Sequence, residues 1–329
     1  MELPNPYDTP YYKYYVIIAL AIFFGAAFVA IQGLRPGIDL TGGTAMSAPL
    51  NKDISYDDVE AFMKEHGVLD VIVRITENPL TGKKGIIVEF SGNEDLLKAQ
   101  ELVDTDPEKA KDLVAKFTPN VTGNLTVAQI VQLAEEKFKN KLRQDFATFL
   151  GVDAKDISVT SIGSSIGKLF WESSERALIV AFILVAAIVF VLFREPVPSI
   201  AVIQAIIFDM VCALAGMSLL QIPVTLPTIA ALLMILGYSI DSDIMVTDKI
   251  MRRRYGTTAE RAFEAMKTGL TMTGTTLVVL GVLVFFSYFS QMTALFQISA
   301  VLFFGLLGDL PSTYLINVVI VKWWTDRKQ

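Results

Sequence analysis

The sequence predicts an α-helical polytopic membrane protein of six spans, with a soluble α+β domain inserted between the first and the second. Three observations carry this reading. Apolar residues make up 53% of the 329-residue chain and charged ones 19%, with a mean hydropathy of +0.49, outside the usual composition of soluble domains. Six stretches reach or approach the roughly 20 apolar residues that a bilayer core requires. The interval between the first two, Leu34–Arg176, has the length of a domain and no such stretch. The expected organisation is therefore 1–33, a short amino terminus and first span; 34–176, the soluble domain; and 177–329, five spans and a tail.

The first span runs from about Tyr14 to Gly33, behind a belt of Tyr11, Tyr12, Tyr14 and Tyr15 suited to the interface. A cleaved signal peptide fits poorly. The apolar core is too long, Lys13 stands beside Glu2 and Asp8, and no small-x-small site closes it. In the soluble domain, Ser55 with Asp57 and Asp58 starts a helix that runs to about His66. Val68–Thr76 and Gly85–Phe90 read as strands joined by a turn at Asn78–Gly82. Asp106-Pro107 opens a short helix. Thr126–Leu150 fits a longer amphipathic one, with Ile130, Leu133, Ala134, Phe138, Leu142, Phe146 and Phe149 along one side. Ile157–Ile162 is the last strand, and the mixture suggests an α+β sandwich. The remaining spans are Ala177–Phe193, Ser199–Leu220, Pro227–Thr247, Gly269–Phe289 and about Ala294–Val321, the last followed by Trp323 and Trp324.

The short loops set the orientation. Lys249, Arg252, Arg253, Arg254, Arg261 and Lys267 gather after span four, Arg194 sits between spans two and three, and Lys322, Arg327 and Lys328 end the chain. The opposite turns, Leu220–Leu226 and Ser287–Thr293, carry no charge. By the positive-inside bias, both termini are cytoplasmic in a cell membrane and the soluble domain is exported. Asn120-Val-Thr122 and Asn124-Leu-Thr126 are glycosylation triplets on that side, a pattern that chance produces often.

Several classes are disfavoured. One cysteine, Cys212, cannot make an intramolecular disulfide, and one histidine, His66, does not make a structural zinc cluster. A net charge of −6 argues against a nucleic-acid surface. No nucleophile elbow, phosphate loop or metal-ligand spacing occurs, so no catalytic residue, metal or cofactor is expected. The chain reads as a non-enzyme.

The chemistry concentrates in the spans. A carboxylate in hydrocarbon costs about 2.5–3.5 kcal/mol on insertion scales. Asp209 in span three, Asp241 and Asp243 in span four and Asp309 in span six all fall near mid-membrane. At 100° per residue Asp241 and Asp248 share a face of span four while Asp243 points nearly opposite. Either Gly237 lets the helix unwind or one acid meets a different partner. Span five offers Thr268, Thr271, Thr273, Thr275 and Thr276, read mainly as packing and secondarily as a hydroxyl relay. The expected role is ion coupling by Asp209, Asp241 or Asp243, modulated by Lys249 or by a residue of a partner chain. Gly305-Leu-Leu-Gly308-Asp309 is off by one residue from the Gly-x-Gly-Asp of intramembrane aspartyl proteases, and no Tyr-Asp partner motif occurs. That alternative is weak.

Two motifs carry a resemblance. Gly37-Ile38-Asp39-Leu40-Thr41-Gly42-Gly43-Thr44, a glycine-permitted turn into the first strand, resembles the signature after the first span of the SecD and SecF protein-export subunits. Gly237-Tyr238-Ser239-Ile240-Asp241-Ser242-Asp243, continuing to Asp248-Lys249-Ile250, is similar to the fourth-span motif of SecF, which ends Asp-Arg-Ile. One span, an exported domain and five spans is also the SecF plan. The resemblance implies a membrane fold like half of an RND-type transporter and a ferredoxin-like exported domain. It implies work with SecD beside a SecY-type channel, on unfolded exported polypeptides, within membrane lipid and driven by the proton gradient. It places Asp209 at the family's intramembrane aspartate and Asp248 at the aspartate of Asp-Arg-Ile. Lys249 replaces the arginine there, keeping charge but losing bidentate geometry. Asp241-Ser242-Asp243 stands where bacterial members commonly have Asn-Asp-Thr, and Ile162-Gly163-Ser164 where Val-Gly-Pro is frequent, which suggests an archaeal-type member. A small-molecule exporter of the RND type is the alternative; such chains usually hold two six-span halves.

Overall fold

The computed structural model describes residues 5–50, 52, 54–77, 84–103, 105–118, 125–252, 256–290 and 292–328. The chain divides into two compact units, Met1–Gly37 with Trp171–Gln329, and Ile38–Phe170. The expected turn at Asn78–Gly82, the glycosylation asparagines Asn120 and Asn124, and Arg253 and Arg254 lie outside the described residues.

In chain order, α1 (Tyr15–Gly33) follows a 3-10 turn at Pro10–Tyr14. The soluble unit begins with a single helical turn, α2 (Ile38–Thr41), where a plain turn is expected. Gly42 follows at φ 79°, a left-handed conformation that favours glycine. Then come β1 (Gly43–Leu50), α3 (Tyr56–Glu65), β2 (Val68–Leu69), β3 (Ile72–Glu77), β4 (Lys84–Phe90), β5 (Gly92–Asn93), α4 (Glu94–Leu102), α5 (Pro107–Val114), α6 (Val127–Leu150) and β6 (Ser158–Ile162). Ser55 and Asp58 form a capping box for α3, and Thr126 and Gln129 one for α6.

The four-stranded sheet has the order β3-β4-β1-β6 and is antiparallel throughout, with Thr44 opposite Phe90 on one side and Ser161 on the other. This is the strand order of a ferredoxin-like βαββαβ sheet. Its core joins Met46, Ile86, Val88 and Phe90 of the sheet to Val59 and Met63 of α3 and to Phe138, Leu142 and Phe146 of α6. Two expectations change. The strand read over Val68–Thr76 breaks at Asp70, whose φ of 53° turns the chain and gives β2 to a separate pairing with β5. Helix α4, capped by Asn93, occupies a stretch with no expected element, because its apolar face is too short to stand out.

The membrane unit adds α7 (Ser164–Phe193), α8 (Pro196–Leu219), α9 (Leu226–Arg252), α10 (Thr258–Phe289), α11 (Thr293–Pro311) and α12 (Val318–Lys328). With α1 these supply six helices long and apolar enough to cross a membrane. Helix α7 starts well before Ala177, since its first turns are polar yet helical; α10 likewise starts at a Thr257–Glu260 capping box. The sixth span is not one α-helix. A π turn, Ser312–Asn317, separates α11 from α12 directly after Pro311, which has no amide hydrogen to donate.

Helices α8 and α9 and the α11–α12 segment are about half buried (50%, 56% and 50% of their most apolar windows), against 11–17% for α1, α7 and α10. Glycines allow the inner set to approach closely. A Cβ on Gly216 would meet Phe304 at 2.2 Å, on Gly305 Ile235 at 2.5 Å, and on Gly308 Cys212 at 2.5 Å.

Candidate functional site

The three inner segments each bring one aspartate to a shared polar centre. Asp209 of α8, Asp243 of α9 and Asp309 of α11 are each 0% exposed. Hydroxyl and amide side chains hydrogen-bond to them. Asp209 accepts from Ser312 at 2.6 Å and from Ser239. Asp309 accepts from Ser242 at 3.0 and 3.1 Å, from Thr313 at 2.8 Å and from Thr273 at 3.3 Å. Asp243 Oδ1 accepts from Asn317 at 2.7 Å and from Thr313 at 2.8 Å, while its Oδ2 has no partner among the described residues. Hydrogen bonds to a charged group contribute about 1.5–3 kcal/mol each, so this donor set offsets the insertion cost of the acids.

The donors fall short by count. Thr313 Oγ1 lies 2.8 Å from Asp243 Oδ1 and 2.8 Å from Asp309 Oδ1, yet it carries one proton. Ser242 Oγ divides its proton between the Ser239 carbonyl at 2.9 Å and Asp309. Ser312 Oγ does the same between Asp209 and the Asp309 carbonyl at 3.2 Å. A proton on one carboxyl completes the Thr313 bridge, because a carboxylic acid donates where a carboxylate only accepts. The centre therefore has one hydrogen-bond pattern with the extra proton and another without it.

Helix α9 stays intact, so Gly237 unwinds nothing, and the two acids of Asp241-Ser242-Asp243 part. Asp243 faces inward; Asp241 is exposed on the outer face with Gly237 and Tyr238. Asp248 pairs with Arg252 at 3.1 Å, one turn along the same helix. Lys249 donates to Thr268 of α10 at 2.7 Å. Asp241, Asp248 and Lys249 thus stand apart from the three-acid centre. Of the five threonines in span five, Thr273 alone donates to an acid; Thr268, Thr271, Thr275 and Thr276 donate to carbonyls of their own helix.

The glycine signature after the first span serves structure. Gly37 hydrogen-bonds the Val224 carbonyl at 2.8 Å in the membrane unit, and a Cβ there would meet Thr225 at 2.6 Å. In the soluble unit, a Cβ on Gly43 would meet the Phe90 carbonyl at 2.6 Å, and Thr44 Oγ1 bonds Ser161 at 3.1 Å. Asp39, half-buried, adds to the forces on Glu89: burial pushes that carboxyl up, Arg74 at 3.5 Å pulls it back, and Asp39 pushes it up again. Ser312, Thr313 and Asn317 are members of the centre that the sequence reading does not single out. Their signal is spacing, since 309, 312, 313 and 317 recur at helical intervals through an apolar run.

Six spans enclosing a cluster of buried carboxylates, with an α+β domain after the first, define a polytopic membrane protein with a titratable centre inside its bundle. Residues 142–327 match the family of the protein export membrane protein SecD/SecF, C-terminal, and residues 27–53 the SecD/SecF GG motif. The chain is 31% identical to the protein-export membrane protein SecF of Thermococcus gammatolerans over 94% of its length and 84% of that protein. To SecF of Methanothermobacter thermautotrophicus it is 30% identical, covering 91% and 87%. Its fold matches the crystal structure of SecDF, a translocon-associated membrane protein from Thermus thermophilus, with a TM-score of 0.69 at 21% identity. That match covers 99% of this chain but 40% of the longer SecDF chain. The chain belongs to the SecD/SecF protein-export family.

Proposed function

We propose that this chain is a non-enzymatic auxiliary subunit of the Sec protein-export machinery that couples an ion gradient to the passage of unfolded polypeptides. The observation that carries the coupling is the centre of Asp209, Asp243 and Asp309, held by too few hydroxyl protons. Asp243 Oδ2, the carboxylate oxygen without a donor among the described residues, is the natural landing place for an incoming proton. Taking it up re-aims Thr313 toward Asp309 and shifts α9 against the α11–α12 segment, a two-state change that can bias the rest of the protein. The partners are a SecD-type subunit and a SecY-type channel. Asp241, Gly237 and Tyr238 on the outer face of α9 are suited to such a neighbour. The setting is the cell membrane, with both termini cytoplasmic.

The test is an export-rate assay in membrane vesicles at matched protein levels, with and without the gradient. Asp243→Asn and Asp209→Asn should remove the gradient-dependent part of export, and Asp241→Asn should act differently by weakening association with the partner. Normal gradient-dependent export by both inner amides would make the acids structural.

A further inference from the structure

The segment ahead of α1 is strapped onto the bundle. Tyr7 is 2% exposed, its hydroxyl donates to the backbone carbonyl of Tyr314 at 3.0 Å, and Met266 Sδ lies 3.6 Å away on α10. Tyr12 is buried under the Lys322 ammonium, 4.4 Å from its ring centroid. The Tyr15 hydroxyl closes the strap on the Pro6 carbonyl at 3.4 Å.

The carbonyl that Tyr7 meets has a special position. In an α-helix, Tyr314 O would receive the Val318 amide, four residues on. Here the Val318 amide bonds Thr313 O, the five-residue step of the π turn. The turn has displaced the α-helical donor of Tyr314 O, and a side chain from the amino terminus donates in its place. The same turn carries Ser312, Thr313 and Asn317 to the three aspartates. Relaxation to an ordinary α-helix would slip the register by one residue. Everything beyond the turn would rotate by about 100° relative to α11. Thr313 and Ser312 would stay near Asp309, while Asn317 would leave Asp243.

We propose that Tyr7 is a positioning residue whose hydroxyl holds Ser312–Asn317 in its π register, so that the amino-terminal strap governs whether Asn317 reaches Asp243. Its consequence for export rests on the ion-coupling reading of the acids given above. Burial pushes the Tyr7 phenol up from its ordinary value, which keeps the donor protonated throughout the working range.

The test is Tyr7→Phe in the full-length protein with its partner subunit, beside Tyr12→Phe as a control that keeps its ring under Lys322. Hydrogen exchange is followed by mass spectrometry on peptides spanning Ser312–Ile320, together with gradient-dependent export at matched membrane levels. The expected result for Tyr7→Phe is exchange about fivefold faster, confined to those peptides, the effect of losing one neutral hydrogen bond. Gradient-dependent export should fall with it, and Tyr12→Phe should match the wild type in both readouts. Unchanged exchange over Ser312–Ile320 in Tyr7→Phe overturns the proposal. Faster exchange with fully preserved gradient-dependent export overturns the claim that the strap governs the acids, whose own coupling role is tested separately by Asp243→Asn and Asp209→Asn.

Discussion

A threonine hydroxyl has one proton, and Thr313 faces two carboxylates with it. Thr313→Val keeps the shape and deletes the bridge, leaving buried acceptors short. It should cost about 1–3 kcal/mol in thermal unfolding of the detergent-solubilised protein and remove gradient-dependent export. Thr313→Ser, which restores the hydroxyl, should recover both. Outside the membrane, Glu89 gives a pH dependence with a definite sign. Its folded-state carboxyl is raised, chiefly by burial. Its contribution to stability is therefore present below the ordinary value of 4.5 and lost as pH rises through the folded value. Glu89→Gln, which keeps an acceptor for Arg74, should melt higher than wild type at pH 7, and the difference should vanish near pH 4. A Glu89→Gln variant that melts lower than wild type at pH 7 would show that Arg74 outweighs burial.

At the level of elements, the glycines of the spans sort into two kinds that sequence alone does not separate. Gly216 and Gly308 sit where α8 and α11 touch, and an added methyl would strike Phe304 Cγ at 2.2 Å or Cys212 Cβ at 2.5 Å, atoms close to the backbone that cannot swing away. Alanine at either position should destabilise by about 1–3 kcal/mol. A methyl added at Gly274 would meet nothing within 4 Å. Gly274→Ala should be neutral or stabilise by up to about 1 kcal/mol through helix propensity. Melting curves of the three variants decide this. The spans themselves are legible in the sequence because hydropathy is a sum over many residues, and the caps at Ser55, Asp106 and Thr126 because each is a local hydrogen-bond pattern. The π turn is not legible. Pro311 marks a weak point in the ladder, but only packing against Asp209 and Asp243 selects which residues wind around it. For the same reason the sequence lists Asp209, Asp243 and Asp309 among its intramembrane acids, and Ser239, Ser242 and Thr273 near them, without naming Ser312, Thr313 and Asn317 as groups that hold them.

For the molecule as a whole, loop charge predicts which side of the membrane each terminus occupies, and that orientation can be checked without any assay of export. Among the described residues, basic side chains lie at the carboxyl end of α9, in the first third of α10 and at the end of α12, where Arg252, Lys267, Arg327 and Lys328 are found. If that charge is retained on the cytoplasmic side, the Lys137 face of α6 is expected on the other side, because one span separates that domain from the amino terminus. In a Cys212→Ser background, Lys137→Cys should react with an impermeant maleimide in intact cells, while Lys328→Cys should react only after the membrane is opened. Cys212 is itself partly buried in α8 against Gly308, so its removal leaves no competing thiol. The reverse labelling pattern would place both termini outside. A proton moving down an inward gradient would then leave the centre on the side of the soluble domain instead of the side of the Tyr7 strap, and the coupling sequence would have to run in the opposite order.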